Sequence, residues 1–249
     1  MTNDTIIIIL AAGKGKRMES DIPKVLHELN NITLIERVIN TSKKIHPKKI
    51  LVVVGHQRNK VIEKLKDYNN LEFVIQEQQK GTAHAVKMCL PNLKGFKGDV
   101  LILSGDVPLI SEQTLKNLIS IKNTKGAKAS LLTALFENPT GYGRVIRDDS
   151  NMLDAIIEHK DCNIEQLNVN EINAGIYVFE NEMLLSYISK IDNHNAQNEF
   201  YLPDIINIMN QNDHYTAIHK TPHINEIKGI NNKEQLLELN NHLIKSEKN

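Results

Sequence analysis

The sequence predicts an α/β protein: a doubly wound, mostly parallel sheet joined to a smaller half built on a mixed sheet. Three observations carry that expectation. Four nearly continuous apolar runs, Thr5–Leu10, Lys49–Val54, Glu72–Ile75 and Val100–Ser104, have the composition of strands buried on both faces. Helical patterns lie between them, and strand–helix alternation folds into right-handed βαβ units. Beyond residue 122 helices thin out and short strands separated by turn-rich pieces take over.

Taken in order, Thr5–Leu10 opens the parallel half and runs into a loop at Gly13. Thr33–Ile45 starts with Thr33-x-x-Glu36, a capping box, and continues as a helix. Gln57–Lys66, Thr82–Leu90 and Ser111–Lys122 predict three more helices. Ala129–Phe136, Gly143–Arg147, Met152–Ile157 and Glu171–Phe179 read as strands of the mixed half, laid against the parallel half. Leu202–Met209 is a short helix, and Tyr215–His219 and a segment near Ile224–Ile230 return to the sheet. Asn232–Ser246 is a terminal helix with Leu236, Leu237, Leu239, Leu243 and Ile244 on one broad face, expected to pack on the body. One domain is expected over residues 1–230, with halves at 1–110 and 111–230. Residues 231–249 form the terminal helix and tail.

Bulk properties narrow the function. The 249 residues carry 30 basic and 30 acidic side chains, so no global basic field exists to hold nucleic acid. The opening MTNDTIIIIL has no basic start, and its apolar run is too short for a signal peptide or a membrane span. Cys89 and Cys162 are too few for a disulfide framework and have no metal-ligand spacing. Two reduced thiols in a cytoplasmic protein are expected.

The chemistry starts in the loop after the first strand. Four cations, Lys14, Lys16, Arg17 and Lys24, fall within eleven residues beside Gly13 and Gly15. Ligands on doubly wound sheets bind outside the carboxyl ends of the strands, which is where this loop lies. Its spacing matches neither a Walker loop nor the dinucleotide fingerprint, since Met18 stands where a third glycine is required. Glycines for close approach, amides able to face phosphate oxygens and clustered cations suit a polyphosphate. A solvated basic turn shares that composition. A second feature is Leu101-Ile-Leu-Ser-Gly-Asp106-Val-Pro-Leu109, a buried strand ending in an aspartate at the same sheet edge. Such a carboxylate is costly to bury without a counter-charge, either a divalent metal or a helix N-terminus. Together with the cationic loop it suggests Mg2+ bridging the phosphates of a nucleotide.

These residues, in order, resemble a known family. Leu10-Ala-Ala-Gly-Lys-Gly-x-Arg17-Met18 followed by Pro23-Lys24-Val-Leu resembles the signature of sugar nucleotidyltransferases. Gln76-x-x-Gln79-x-Gly81-Thr82-x-His84-Ala85, Gly105-Asp106-Val-Pro-Leu and Thr140-Gly-Tyr-Gly143-Arg144 narrow it, as do Glu158-His-Lys-Asp161, Glu171-Ile-Asn173-x-Gly175 and Gly229-x-Asn231-Asn232. The set is similar to the uridylyltransferase (pyrophosphorylase) domain of the bacterial bifunctional enzyme that makes UDP-N-acetylglucosamine, a cell-wall precursor. The resemblance implies a Rossmann-like nucleotide-binding half at 1–110 and a sugar-binding half at 111–230. It implies uridine on the backbone of Leu10, Ala11, Ala12 and Gly13 with Gln76, Gly81 and Thr82. Arg17 and Lys24 would be catalytic, gripping the triphosphate; Asp106 and Asn231 would ligate Mg2+. Gly143, Glu158 and Asn173 would bind the amino-sugar phosphate, with Ser104 and Gly105 also against substrate. The implied reaction is in-line attack of N-acetylglucosamine-1-phosphate on the α-phosphorus of UTP with release of pyrophosphate. No nucleic acid, membrane or partner protein is implied.

Plainer readings accompany several of these residues. His84 reads as a packing or hydrogen-bonded histidine rather than a base; Gly141-Tyr142-Gly143 as a hairpin turn; Glu158 as a carboxylate paired with Lys160. Asn198–Asp204 looks like a family element supporting the sugar side, although Pro203 suits a plain helix start. The sequence departs from the family pattern at Ser104, where several relatives have Tyr, at Ala83 (commonly Gly) and at Ala174 (commonly Thr). No hexapeptide repeats of a left-handed β-helix occur in the 249 letters, so neither acetyl transfer nor trimerisation is carried over. Transfer to another sugar-1-phosphate and a catalytically idle UDP-sugar-binding protein are the competing readings.

Overall fold

The computed structural model describes residues 4–246, so the last residues of the expected hydrophilic tail, 247–249, lie outside the described residues. Strands β1 (Thr5–Ala11), β2 (Glu28–Leu29), β3 (Ile32–Thr33), β4 (Lys49–Val54), β5 (Leu71–Ile75) and β6 (Asp99–Ser104) alternate with helices α1 (Leu34–Lys44), α2 (Arg58–Leu65), α3 (Thr82–Met88) and α4 (Leu90–Leu93). After α5 (Glu112–Thr124) come β7 (Ala129–Leu135), β8 (Arg144–Arg147), β9 (Leu153–Ile157), α6 (Ile164–Leu167), β10 (Glu171–Glu180) and α7 (Asn181–Tyr187). The chain finishes with α8 (Asp204–Asn210), β11 (Thr216–Lys220) and α9 (Lys233–Ser246).

One sheet runs through both halves in the order β11-β7-β10-β6-β1-β4-β5, and β8 and β9 branch from β10. The pairs β1–β4, β1–β6 and β4–β5 are parallel, whereas β10 lies antiparallel to both β6 and β7. The mixed half therefore continues the parallel sheet edge to edge. In β1, Ile6 and Ile8 enter the core on one face, and Ile7 and Ile9 the core on the other. All four isoleucines are essentially inaccessible. Burying each stabilises the fold by roughly 1.5–3 kcal/mol, which is why this strand occupies the sheet centre.

Local signals explain several helix ends. Thr33 Oγ1 accepts from Glu36 N at 3.3 Å while Thr33 N donates to Glu36 Oε2 at 3.1 Å, completing the expected capping box. The stretch expected as one helix over Thr82–Leu90 breaks at Cys89, and α4 begins with Pro91 in its first turn, where the missing N–H costs nothing. The segment near Ile224–Ile230 does not return to the sheet. Residues Ile224–Ile227 form a single 3-10 turn, and Ile230 N then donates to Asp106 O at 2.9 Å. That bond carries the following residue, Asn231, to the end of β6. The β2–β3 hairpin was not expected from the strand pattern; its turn has Asn30 and Asn31 at positive φ, the pairing that suits a tight type I′ connection. The apolar face of α9 is only partly used. Leu239 is buried with Met18, Leu29, Leu34 and Ile230, Leu236 and Leu243 pack against that cluster, and Leu237 stays largely exposed.

Candidate active site

Strand β1 sits between β4 and β6, so the chain leaves β1 towards one side of the sheet and later returns to the other. The carboxyl ends of β1 and β6 thus open a crevice at the point where strand order reverses, the place such sheets bind ligands. Leu10 and Ser104 are register partners there, and Gly105 N donates to Leu10 O at 2.9 Å. A Cβ on Gly105 would lie 3.2 Å from that oxygen, so the two strand ends approach as closely as a glycine allows.

The cationic loop folds back onto this point. Gly15 has φ +58°, and a Cβ there would come within 2.7 Å of Lys24 Cβ. Both facts require glycine. Lys24 is thereby brought into an ion pair with the Asp106 carboxylate, and its ammonium donates to Asn231 Oδ1 at 3.1 Å. Arg17 donates to the same Asn231 oxygen at 2.9 Å. Two oxygens from distant segments thus converge on one ammonium. Among the described residues no cluster of three or more His, Cys, Asp or Glu could hold a metal. One carboxylate and one amide oxygen nevertheless make a hard donor pair of the kind Mg2+ accepts, since that ion takes its remaining ligands from phosphates and water.

On one side of the crevice lies Gln76, buried just beyond β5. Its Nε2 donates to Gly81 O at 3.2 Å and lies 2.9 Å from His84 Nδ1. Gly81 has φ +109°, and a Cβ there would meet Phe200 N at 2.7 Å. Thr82 Oγ1 accepts from Leu202 N at 3.0 Å, which ties α3 to the segment entering α8.

The opposite side is built on β10. A register irregularity between Asn173 and Tyr177 interrupts its pairing with β7, and Gly175 inside it has φ +71°. Bulges of this kind redirect side chains. Here Asn173 Nδ2 donates to Tyr177 OH at 2.6 Å, and Asn173 Oδ1 accepts from Gly175 N at 2.9 Å. Asn173 N donates to Gly143 O at 2.9 Å, and a Cβ on Gly143 would sit 3.3 Å from Glu158 Oε1. Glu158 is not paired with Lys160 among the described residues. Burial, with Asp204, Asp161 and Glu199 nearby, pushes its carboxyl up to about 7. Burial beside Asp192 and Asp161 likewise pushes Asp204 up to about 6.

A cleft of about 190 Å³ joins the two sides. Leu10, Thr82, Ser104, Asp106, Gly143, Glu158, Asn173 and Asn231 line it, together with Tyr142, Ala174, Leu202 and Pro203. Arg17 and Lys24 adjoin these residues through their bonds to Asn231 and Asp106, and Gln76 is bonded to Gly81, the residue before Thr82. Ala11 and Ala12 are buried at the end of β1, and the space around a Gly13 Cβ is open. Pro203 is both the residue before α8 and part of the cleft wall.

Residues 7–159 match the MobA-like NTP transferase domain. The chain belongs to that family. As a nucleotidyltransferase of this family it is 44% identical over 237 residues to the "Bifunctional protein GlmU" of Prochlorococcus marinus, a match covering 95% of this chain and 52% of that protein. The protein of the same name from Bacillus cytotoxicus is 41% identical, with 92% of this chain and 50% of that protein covered. The chain thus spans about half the length of the curated relatives it matches. A crystal structure of UDP-glucose pyrophosphorylase complexed with UDP-glucose superposes with a TM-score of 0.77 at 17% identity, covering 97% of this chain and 99% of that one. That likeness is one of fold. No left-handed β-helix occurs among the described residues, and no described helix is long and apolar enough to cross a membrane.

Two site residues of this nucleotidyltransferase escaped sequence reasoning. Gly55 follows β4 directly; a Cβ there would fall 2.9 Å from both Ala12 Cβ and Gln76 O, so it lets the first loop approach the Gln76 segment. Its signal was a glycine at the same sheet edge as the other loops. Arg144 belongs to a quoted motif but had no role. It is 1% exposed, and its guanidinium donates to Pro139 O at 2.8 Å and to Tyr142 O, bracing the loop before Gly143.

Proposed function

We propose that this nucleotidyltransferase moves a uridylyl group from UTP to N-acetylglucosamine-1-phosphate, giving UDP-N-acetylglucosamine and pyrophosphate. The observation that carries the reading is the convergence of Arg17, Lys24, Asp106 and Asn231 where the strand order reverses. The similarity to proteins named GlmU supports the choice of reaction. The backbone of Leu10–Gly13, with Gln76, Gly81 and Thr82, binds uridine. Arg17 offers a planar fork to phosphate oxygens and Lys24 a point charge, so together they offset charge developing at the α-phosphorus. Asp106 and Asn231 would hold Mg2+, which when bound supplies a further positive charge to the phosphates. Gly143, Glu158 and Asn173 orient the sugar phosphate so that its oxygen faces the α-phosphorus in line with departing pyrophosphate. No group of the chain need form a covalent bond to substrate, because positioning and charge carry such transfers. The setting we propose is cytoplasmic.

Ser104 and Ala174, small residues in the cleft wall, favour a second reading in which another sugar-1-phosphate is the acceptor. Pyrophosphate release measured over a panel of nucleoside triphosphates and sugar-1-phosphates tests both. The highest kcat/KM is expected for UTP with N-acetylglucosamine-1-phosphate. A higher value with a different sugar selects the second reading. Tight UDP-sugar binding without turnover in saturating Mg2+ overturns both in favour of an idle binding protein.

A further inference from the structure

We propose that His84 is a specificity-determining positioning residue for the nucleotide base: its Nδ1 accepts one proton of the Gln76 amide while the Gly81 carbonyl accepts the other, leaving Gln76 Oε1 as the one atom the side chain can offer. The inference rests on the reading of Gln76 as a base contact.

The geometry assigns the amide without ambiguity of chemistry. Gln76 is 3% exposed, so its hydrogen bonds are made inside the protein. One end of the amide lies 3.2 Å from Gly81 O and 2.9 Å from His84 Nδ1. An amide oxygen at that end would set two acceptors against each other at the Gly81 carbonyl, so the nitrogen belongs there. An amide nitrogen has two protons, and two acceptors are present. His84 Nδ1 must then be bare, with the ring proton on Nε2. Its surroundings agree: burial, then the charges of Lys80 and Lys87, hold its pKa below the usual histidine value. The ring is kept in place by its position in the first turn of α3 and by Phe200, whose centroid lies 6.4 Å away. Lys87 in turn lies over the Phe200 ring at 4.5 Å. Among the described residues Oε1 of Gln76 accepts no hydrogen bond from the protein.

The consequence is discrimination between pyrimidines. Uracil presents an N3–H donor, and cytosine presents a bare N3 acceptor at the same place. A glutamine free to rotate can answer either. A glutamine whose nitrogen is doubly held can only accept, so with Oε1 opposite N3 it accepts from uracil and repels the bare ring nitrogen of cytosine. His84 sets this choice without touching the base.

The test compares kcat/KM for UTP and CTP, at saturating sugar phosphate, in the unaltered protein, His84→Leu and His84→Asn. Losing one of the two bonds that hold the amide is expected to lower the UTP/CTP ratio about tenfold in His84→Leu, through a lower KM for CTP together with a higher KM for UTP, with KM for the sugar phosphate unchanged. His84→Asn, whose Oδ1 can take the place of Nδ1, is expected to recover most of the ratio, which a purely structural role would not produce. An unchanged ratio in a folded His84→Leu protein overturns the proposal. Nitrogen NMR of the unaltered protein gives a check independent of folding and turnover: Nδ1 is expected to be unprotonated and Nε2 protonated at neutral pH, and the reverse tautomer overturns the lock. Absence of uridylyl transfer by the unaltered protein would instead overturn the function proposed above, a failure the NMR result keeps apart from this one.

Discussion

The two lips of the cleft are built on opposite principles. The side that we propose holds the nucleotide is a set of close backbone approaches and cations. Gly15, Gly55, Gly81 and Gly105 let main chains come close, and Arg17 and Lys24 reach across loops to oxygens on other segments. The side that we propose holds the sugar phosphate is a set of buried, pre-bonded polar groups. Asn173 is bonded to Tyr177 and Gly143, Arg144 holds the Pro139 and Tyr142 carbonyls, and Glu158 and Asp204 are held where ionisation is disfavoured. On the proposed reading the difference teaches that charge does the work on one side and preorganised neutral geometry on the other. A triphosphate brings a large, diffuse negative charge that clustered cations can meet, whereas a sugar is recognised by fixed donors and acceptors at set positions.

The contrast can be broken at its strongest point first. Arg17→Ala is expected to lower kcat by roughly 10³-fold or more, with the melting temperature unchanged, as seen in pyrophosphate release and thermal unfolding. Near-normal turnover would remove the cation side of the comparison. Chelation of divalent ions is expected to abolish turnover and added Mg2+ to restore it; turnover that persists in chelator would contradict the metal role of Asp106 and Asn231. On the sugar side, Arg144→Leu strips the Pro139 and Tyr142 carbonyls of a buried donor. It is expected to cost about 3 kcal/mol in urea unfolding and to raise KM for the sugar phosphate while leaving KM for UTP alone. Equal effects on both KM values would show that Arg144 supports the whole cleft.

Smaller effects sharpen the picture. Glu158 has a folded pKa of about 7 against an ordinary 4.5, so the folded protein holds a proton the unfolded chain has lost between those values. Its contribution to stability therefore rises as pH falls through 7 and levels off near 4.5; Asp204, raised to about 6, acts in the same direction. Melting temperatures from pH 8 to 5.5 should rise in the unaltered protein and flatten in Glu158→Gln. Equal slopes would place the titration elsewhere. Smallest of all, Gly175→Ala meets no atom within 4 Å and is expected to cost only about 1 kcal/mol, from its positive φ alone.

Much of the nucleotide side was legible in the letters because its determinants are local. Gly13, Gly15, Arg17 and Lys24 sit in one loop, and Asp106 follows a strand that any hydrophobicity pattern marks. The helix starting at Thr33 was legible for the same reason. The turn at Ile224–Ile227 was not, because a run with strand-like composition was captured by a backbone bond to Asp106 in place of a sheet edge. The bulge in β10 was equally hidden, since it depends on how β7 and β8 both pair with that strand. Arg144 lay in plain view within a motif, but its burial against carbonyls is a property of the folded loop.

Alternating and continuous apolar runs, capping residues and glycines at strand ends determined by themselves most of the strands and helices and which loop would be cationic. These act over a few residues, where backbone sterics and side-chain spacing suffice. Only the tertiary structure decided that Lys24 meets Asp106, 82 residues away, and Asn231, 207 away. That meeting follows from the order of strands across the sheet and from where the returning chain finds a hydrogen-bond partner, and both are set by packing of the whole core.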